Sequence, residues 1–378
     1  MDHALTTRRW PWEIPLCAAL LIALGLAGIS RGDELAGSGD YWSRQTVWLA
    51  LAVGAWAIAL PIHYRRLRHW SGLLYAGAFI LLLVVYAFPA RGGSRRWISV
   101  GGFQMQPSEL MKIAFIVALG TYLMMRENFR RVRGLAIPFL MTIVPVVLIL
   151  KEPNLGTSLL FFPVLFAMLF AAGARWTHLC AIALMGFVSL PLLWKVMSAE
   201  QRSRVTAVFT QTDGGRPPTG DAYHLHQSKQ MLALGGLWGS DISGMPVADP
   251  LAYSLPEART DFIFCLVGER WGLPGTLAVI TLYLGLLGAG LFIAARTQEP
   301  FGRLVAVGIV TQLATQAVIN TAMTVGLMPI TGITLPLLSH GGSSLVTTAF
   351  ALGLLTNIGM RPEKEVFGEP FRFRSANR

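Results

Sequence analysis

Ten apolar stretches follow one another along the 378-residue chain, with polar residues gathered into the breaks between them. They run from Pro15 to Ser30, Thr46 to Ile62, Trp70 to Pro89, Leu110 to Met125 and Leu135 to Leu150. The series continues from Leu155 to Ala174, Thr177 to Trp194, Gly272 to Ala295, Leu304 to Met328 and Ser343 to Met360. About 20 apolar residues cross a bilayer as a helix, so each stretch is read as a span; the shortest, of 16 residues, need their flanks or a locally thinned bilayer. Lipid offers backbone amides no partner, and a helix satisfies them internally. The pattern predicts an all-α polytopic membrane protein with ten transmembrane helices, a single integral domain over residues 1–378. The first stretch follows Arg8 and Arg9 as a signal peptide would; with nine further spans behind it, an uncleaved anchor is expected.

Composition narrows the class. Charged residues are 13% of the chain and hydrophobic ones 53%, against about 25% charged in an average soluble domain. Disorder and a nucleic-acid-binding arm are excluded. The net charge of +11 comes from basic residues clustered in short loops. Seventeen lie on the tails and loops of one side and six on the short loops of the other, which places both termini in the cytoplasm. Cys17, Cys180 and Cys265 are odd in number and lie in or beside apolar stretches. They read as small core residues, with no disulfide framework or metal site implied.

One break is different. Lys195 to Trp271, 77 residues, falls on the extracytoplasmic side between spans 7 and 8. It mixes glycine, aromatics and both signs of charge, and loops of this length inside a compact bundle are commonly functional. Short amphipathic stretches within it, such as His224 to Leu234, suit the bundle or the membrane surface.

Ionisable groups near membrane depth carry the chemistry, because each costs roughly 2.5–3.5 kcal/mol at a helix centre. In Gln106-Pro-Ser-Glu-Leu-Met-Lys112, Glu109 and Lys112 share one helix face. They read either as a self-neutralising pair or as an anion-binding wall in which Glu109 holds Lys112. Arg95 and Arg96 beside Trp97 are headgroup anchors or a bidentate grip on phosphate oxygens. In Leu255-Pro-Glu-Ala-Arg-Thr-Asp-Phe-Ile-Phe264, Asp261 either caps a helix or is a partly desolvated carboxylate able to take a proton. Glu257 lies four residues upstream, so an acid pair is conceivable. Gly332 to Ser344 enters the last span through Pro, paired Gly and hydroxyls including Ser343, suiting a phosphate at a helix N-terminus or close helix packing. His224, His226 and His340 read as solvated side chains.

The ordered set of motifs resembles one family. Arg-Arg-Trp-Ile (95–98), Gln-Pro-Ser-Glu-Leu-x-Lys (106–112), Pro-Asn-Leu-Gly-Thr (153–157) and Leu-Pro-Glu-x-x-Thr-Asp-Phe-Ile-Phe (255–264) are joined by two more. These are Gly-Leu-Met-Pro-Ile-Thr-Gly (326–332) and Leu-Pro-Leu-Leu-Ser-His-Gly-Gly-Ser-Ser (335–344). Together they resemble the shape, elongation, division and sporulation (SEDS) family of RodA and FtsW, from about Arg95 to Met360. The resemblance implies a peptidoglycan glycosyltransferase of the bacterial cytoplasmic membrane, polymerising lipid II at its outer face beside a class B penicillin-binding protein. The family's essential aspartate falls on Asp261, and its fourth-span Glu and Lys on Glu109 and Lys112. Asn154 stands where the family commonly has Asp, with Glu152 in place of a preceding Gln, and His340 replaces a Tyr. Short tails and Pro-Ile-Thr-Gly-Ile lean toward the elongation member.

The implied reaction joins two polyprenyl-anchored sugars: a 4-hydroxyl attacks an anomeric carbon and expels polyprenyl diphosphate. Asp261 is the expected base. Arg96, Lys112, Arg202, Arg204 and Lys229 are the possible cations for the leaving group, with Lys112 and Arg204 foremost and Glu109, Glu257 and Ser343 beside the substrate. A divalent cation, Mg or Mn, held by carboxylates and diphosphate oxygens is compatible with this. The rival readings are a polyprenyl-lipid transporter, a division-type polymerase, or a scaffold that recruits the transpeptidase.

Overall fold

The computed structural model describes residues 10–37, 39–90, 94–100, 103–126, 128–211, 220–245 and 253–361. Helices dominate it. Eight helices among the described residues are long and apolar enough to cross a membrane, so the protein is a multi-pass membrane protein. Four form the periphery, with large apolar side chains turned outward: α1 (Glu13–Ala36), α3 (Tyr64–Val84), α5 (Ala136–Lys151) and α12 (Ile263–Arg296). Four are mostly enclosed: α4 (Pro107–Met125), α6 (Leu155–Ala172), α13 (Pro300–Thr324) and α14 (Gly342–Met360). Apolar side chains facing outward are what a lipid solvent permits. The other two expected spans correspond to α2 (Tyr41–Ala59) and to the short apolar stretch Trp176–Leu192, where α7 (Trp176–Val188) runs into α8 (Leu190–Val196).

Close packing explains two of the pairings. Gly28 and Gly32 let α1 lie against α12: an added Cβ at Gly28 would sit 3.2 Å from Ile263, and at Gly32 2.9 Å from Leu266. α2 lies on α14, where Asn357 donates from Nδ2 to the carbonyls of Ala59, Leu60 and Ile62 at 2.6–2.8 Å. These are the carbonyls a helix end leaves without intrahelical partners.

The eighth expected span, from Gly272, is preceded within α12 by a short helical piece that begins at Ile263. Its hydropathy is interrupted by Glu269 and Arg270, whose charges are compensated in the fold. Arg31 donates to the fully buried Glu269 at 2.8 and 3.0 Å, and Arg270 pairs with Asp241 at 3.1 Å. Gly272, at φ 60 and ψ −146, breaks the helix there into two pieces. The long loop holds helices of its own: α9 (Ala199–Phe209), α10 (Asp221–Gly235) and α11 (Ser240–Ser243). Finally, the protein is not purely helical. β1 (Ile98–Val100) and β2 (Phe103–Met105) form an antiparallel hairpin, Ile98 opposite Met105, just before α4.

Candidate active site

A cavity of about 1000 Å³ opens at the end of the bundle where α2, α4 and α14 begin. Its wall brings together segments far apart in the chain: Tyr41 and Trp48 of α2, Arg96 and Gln104 around the hairpin, and Arg204 of α9. His224 of α10, the Glu257–Phe262 loop, Gly332 and His340 complete it.

The Glu257–Phe262 loop is a tight turn. The backbone N–H groups of Thr260, Asp261 and Phe262 all point at the Glu257 carbonyl, at 3.0–3.3 Å, and Glu257 takes a φ of 54. A left-handed conformation is costly for a side chain larger than glycine and concentrates at functional sites. Asp261 does not cap the following helix: Phe262 occupies the N-cap, with no side-chain bond to the first turn. Its peptide is pinned from below, where Asn320 Nδ2 donates to the carbonyls of Asp261 and Ile333, both at 2.7 Å. One fully buried amide thus fixes the Asp261 loop to the Gly332 loop.

Gly332 has φ 68, and a Cβ built on it would lie 3.7 Å from Asp261 Oδ2 and 4.0 Å from Arg204 Nη1. The carboxylate and the guanidinium therefore flank one small open space. Arg204 also pairs with Glu200 at 2.7 Å, and Arg96 Nε donates to Ser94 Oγ at 2.7 Å. Burial pushes the Asp261 carboxyl up to about 6. Glu257 pushes the same way, while Arg96, Arg204 and the Thr260 hydroxyl oppose it. Burial, and then the neighbouring Arg204, hold Arg96 below the usual guanidinium range. A carboxylate poised near 6 with two cations beside it suits proton abstraction coupled to anion stabilisation.

Of the residues singled out in the sequence, Asp261, Glu257, Arg96 and Arg204 meet at this wall. The other residues expected beside the substrate, Lys112, Glu109, Ser343, Arg202 and Lys229, do not line it. Lys112 and Glu109 are buried, pair at 2.8 Å, and Glu109 Oε2 also accepts from the Thr347 hydroxyl of α14 at 3.2 Å. An ammonium at membrane depth is held by the adjacent carboxylate, and the direct anion contact foreseen for Lys112 is replaced by a clamp between α4 and α14. Ser343 lies just behind the wall; its Oγ accepts from the Gln106 N–H at 3.2 Å and donates to the Gln104 carbonyl at 2.9 Å, tying the hairpin to α14. Arg202 points away, donating to the carbonyls of Met197 and Lys195. Lys229 packs beside Gly326. Conversely, His224 and His340, read as solvated, are wall residues. The His340 ring meets the Tyr41 ring edge-on at 4.9 Å, and the His340 backbone N–H donates to the Arg259 carbonyl at 2.8 Å. Burial, then Arg44, pull its imidazole below the usual value.

Asn320 was missed by sequence reasoning. The signal was present: Gln312, Gln316 and Asn320 recur at four-residue spacing on one face of an apolar helix, and all three are buried. Polar groups enclosed at membrane depth are rare and mark functional interiors.

The family model FTSW_RODA_SPOVE, described as cell cycle protein, matches residues 12–364. A relative from Geobacter sulfurreducens, "Probable peptidoglycan glycosyltransferase FtsW", is 37% identical over 93% of this chain and 96% of its own. "Peptidoglycan glycosyltransferase MrdB" of Escherichia coli K12 is 32% identical over 92% of each. Among solved structures, a chain of a peptidoglycan synthase complex coordinating polymerization and crosslinking superposes with a TM-score of 0.79. Its identity is 29%, covering 94% of this chain and 98% of that one. The rod shape determining protein RodA of Thermus thermophilus matches with a TM-score of 0.69 at 27% identity, over 96% of this chain and all of that one.

Proposed function

This chain belongs to the FTSW_RODA_SPOVE family of cell cycle proteins, and on that premise we propose that it is a peptidoglycan glycosyltransferase whose cavity polymerises lipid II. The supporting observation is the placement of Asp261 against Arg96 and Arg204 on one cavity wall. Asp261, ionised at neutral pH, takes the proton from the attacking sugar hydroxyl. Arg96 and Arg204 meet the negative charge that develops on the departing polyprenyl diphosphate. Glu257 acts on Asp261 through its charge. A divalent cation, Mg or Mn, would be held at this wall by Asp261 and Glu257 together with the substrate's own oxygens and would supply positive charge to the diphosphate; among the described residues no cluster of three acidic, His or Cys side chains forms a cage by itself.

The proposal includes a topology. Ten spans, with α2 and Trp176–Leu192 added to the eight, put both termini in the cytoplasm of a bacterium and the cavity at the outer face of its inner membrane. The loop carrying α9 to α11 then lies outside with the site. Membrane lipids surround the bundle, and a class B penicillin-binding protein cross-links the product. The complex chain matched at 94% coverage supports such a partner.

The test is polymerisation of lipid II by the purified protein. Asp261→Asn is expected to lower turnover by at least about 100-fold, in line with loss of a general base, while leaving the protein folded and inserted. Near-normal turnover by that variant overturns the assignment. We place the enzyme in cell-wall elongation on its Pro-Ile-Thr-Gly-Ile segment, residues 329–333. The division role is the second reading, favoured by 37% identity to a relative named FtsW. Rescue of rod shape after depletion of the elongation polymerase is the expected result; rescue of septation alone assigns it to division.

A further inference from the structure

The turn that carries Asp261 has open space on both of its faces. On one side lies the cavity already described. On the other is a second, of about 410 Å³, whose lining includes Gly32, Leu35, Tyr253 and Arg259. Tyr41, Glu257 and Thr260 border both. A segment with so little packed against it moves readily unless side chains tie it down. Asn320 is one tie, through the Asp261 carbonyl. Arg259, two residues before the acid, is the other, and it faces the second cavity instead of the first.

Arg259 joins this turn to three other segments. Its Nη2 donates to the Gly32 carbonyl of α1 at 2.6 Å, and its Nε lies 2.9 Å from Asp33 Oδ1. The other oxygen of that carboxylate accepts from the Trp42 N–H at 3.1 Å, which carries the link to the start of α2. The guanidinium also lies 4.6 Å from the centre of the Tyr41 ring, within cation–π range. Finally, the Arg259 carbonyl accepts from the His340 N–H. The His340 loop is itself held to α2 by Gln45, whose Nε2 donates to the Ser339 carbonyl at 3.2 Å and whose Oε1 accepts from the Gly341 N–H at 3.3 Å. The Arg259 and Asp33 side chains are only 17% and 16% exposed, so water and salt screen their attraction little.

We propose that Arg259 is a positioning residue for polymerisation: with Asp33 as counter-ion and Tyr41 as platform, it holds the Asp261 turn against Arg204 and Gly332, a role that rests on Asp261 being the base. A planar guanidinium meets a carbonyl, a carboxylate and a ring face at once, and an ammonium does not. Arg96 and Arg204 keep their own anchors on Ser94 and Glu200. Loss of Arg259 therefore misplaces the base while leaving the cations that bind the diphosphate.

The experiment measures lipid II polymerisation by the parent, Arg259→Lys and Arg259→Met, with Arg259→Met also combined with Asp261→Asn. Arg259→Met is expected to lower kcat by about 10- to 100-fold, with KM within about threefold of the parent, and Arg259→Lys to lower kcat by about tenfold. Added to Asp261→Asn, Arg259→Met is expected to lower the residual rate by less than about twofold, because a base already removed is not misplaced further. A merely structural role lowers the rate equally in both backgrounds. Parent-like kcat in both single variants, a raised KM at unchanged kcat, or full additivity with Asp261→Asn overturns the proposal. Should Arg259→Met not fold, Arg259→Lys decides alone, and parent-like kcat in it is the overturning result. Near-normal turnover by Asp261→Asn defeats the reading of the cavity; an inactive Asp261→Asn beside fully active Arg259 variants defeats only the role given to Arg259.

Discussion

Asp261 owes its chemistry to neighbours that are remote in sequence. Its carboxyl is raised by enclosure, yet Arg96 and Arg204 keep it within reach of ionisation at neutral pH. That balance is set by three backbone segments meeting at Gly332, whose missing side chain leaves the gap between carboxylate and guanidinium open. Gly332→Ala places a methyl group into that gap and asks an L residue to hold φ 68, at a cost of about 1–2 kcal/mol. The expected result is a loss of roughly 10- to 100-fold in kcat/KM, since small misplacements in a reacting geometry are expensive, with a modest fall in Tm. Steady-state polymerisation beside a thermal melt in detergent checks both.

At the scale of helices, the Glu109–Lys112 pair shows how a charge near membrane depth can be structural. Both groups are buried, and Thr347 of α14 completes the set. Lys112→Met leaves Glu109 enclosed without its cation, which typically destabilises by about 3–5 kcal/mol. Replacing both, as Glu109→Gln with Lys112→Met, removes the unpaired charge and is expected to recover most of the lost Tm together with measurable polymerisation. A double variant that folds like the parent but is wholly inactive would return Lys112 to the reacting centre. The α1–α12 contact adds another device, glycines that let a helix approach closely, beside the buried Arg31–Glu269 pair.

Across the whole molecule, the cavity lies where the beginnings of α2, α4 and α14 converge with a loop bearing α9 and α10. Lipid-anchored substrates require such a site to face the leaflet from which they arrive. In a variant lacking Cys17, Cys180 and Cys265, Ser203→Cys in α9 is expected to react with a membrane-impermeant thiol reagent in intact cells. Val132→Cys, exposed on the opposite side of the proposed topology, should react only after the cells are opened. The reverse pattern inverts the orientation and removes the cavity from the outer face.

Most of the helices were legible in the chain because burial in lipid requires long uninterrupted apolar runs, and such runs are visible one residue after another. Asp261 and Arg96 stood out for the related reason that charge beside those runs is expensive. The helical piece that runs ahead of the eighth span from Ile263 was not legible, since Glu269 within it is neutralised by Arg31, 238 residues away. Nor was the division of labour among the cations. Lys112 and Arg204 look alike as isolated charges; folding pairs one with Glu109 inside the bundle and sets the other at the rim beside Gly332. Hydropathy is a local property that chain order preserves, whereas the electrostatic surroundings of a side chain are assembled from segments that meet only once the helices pack.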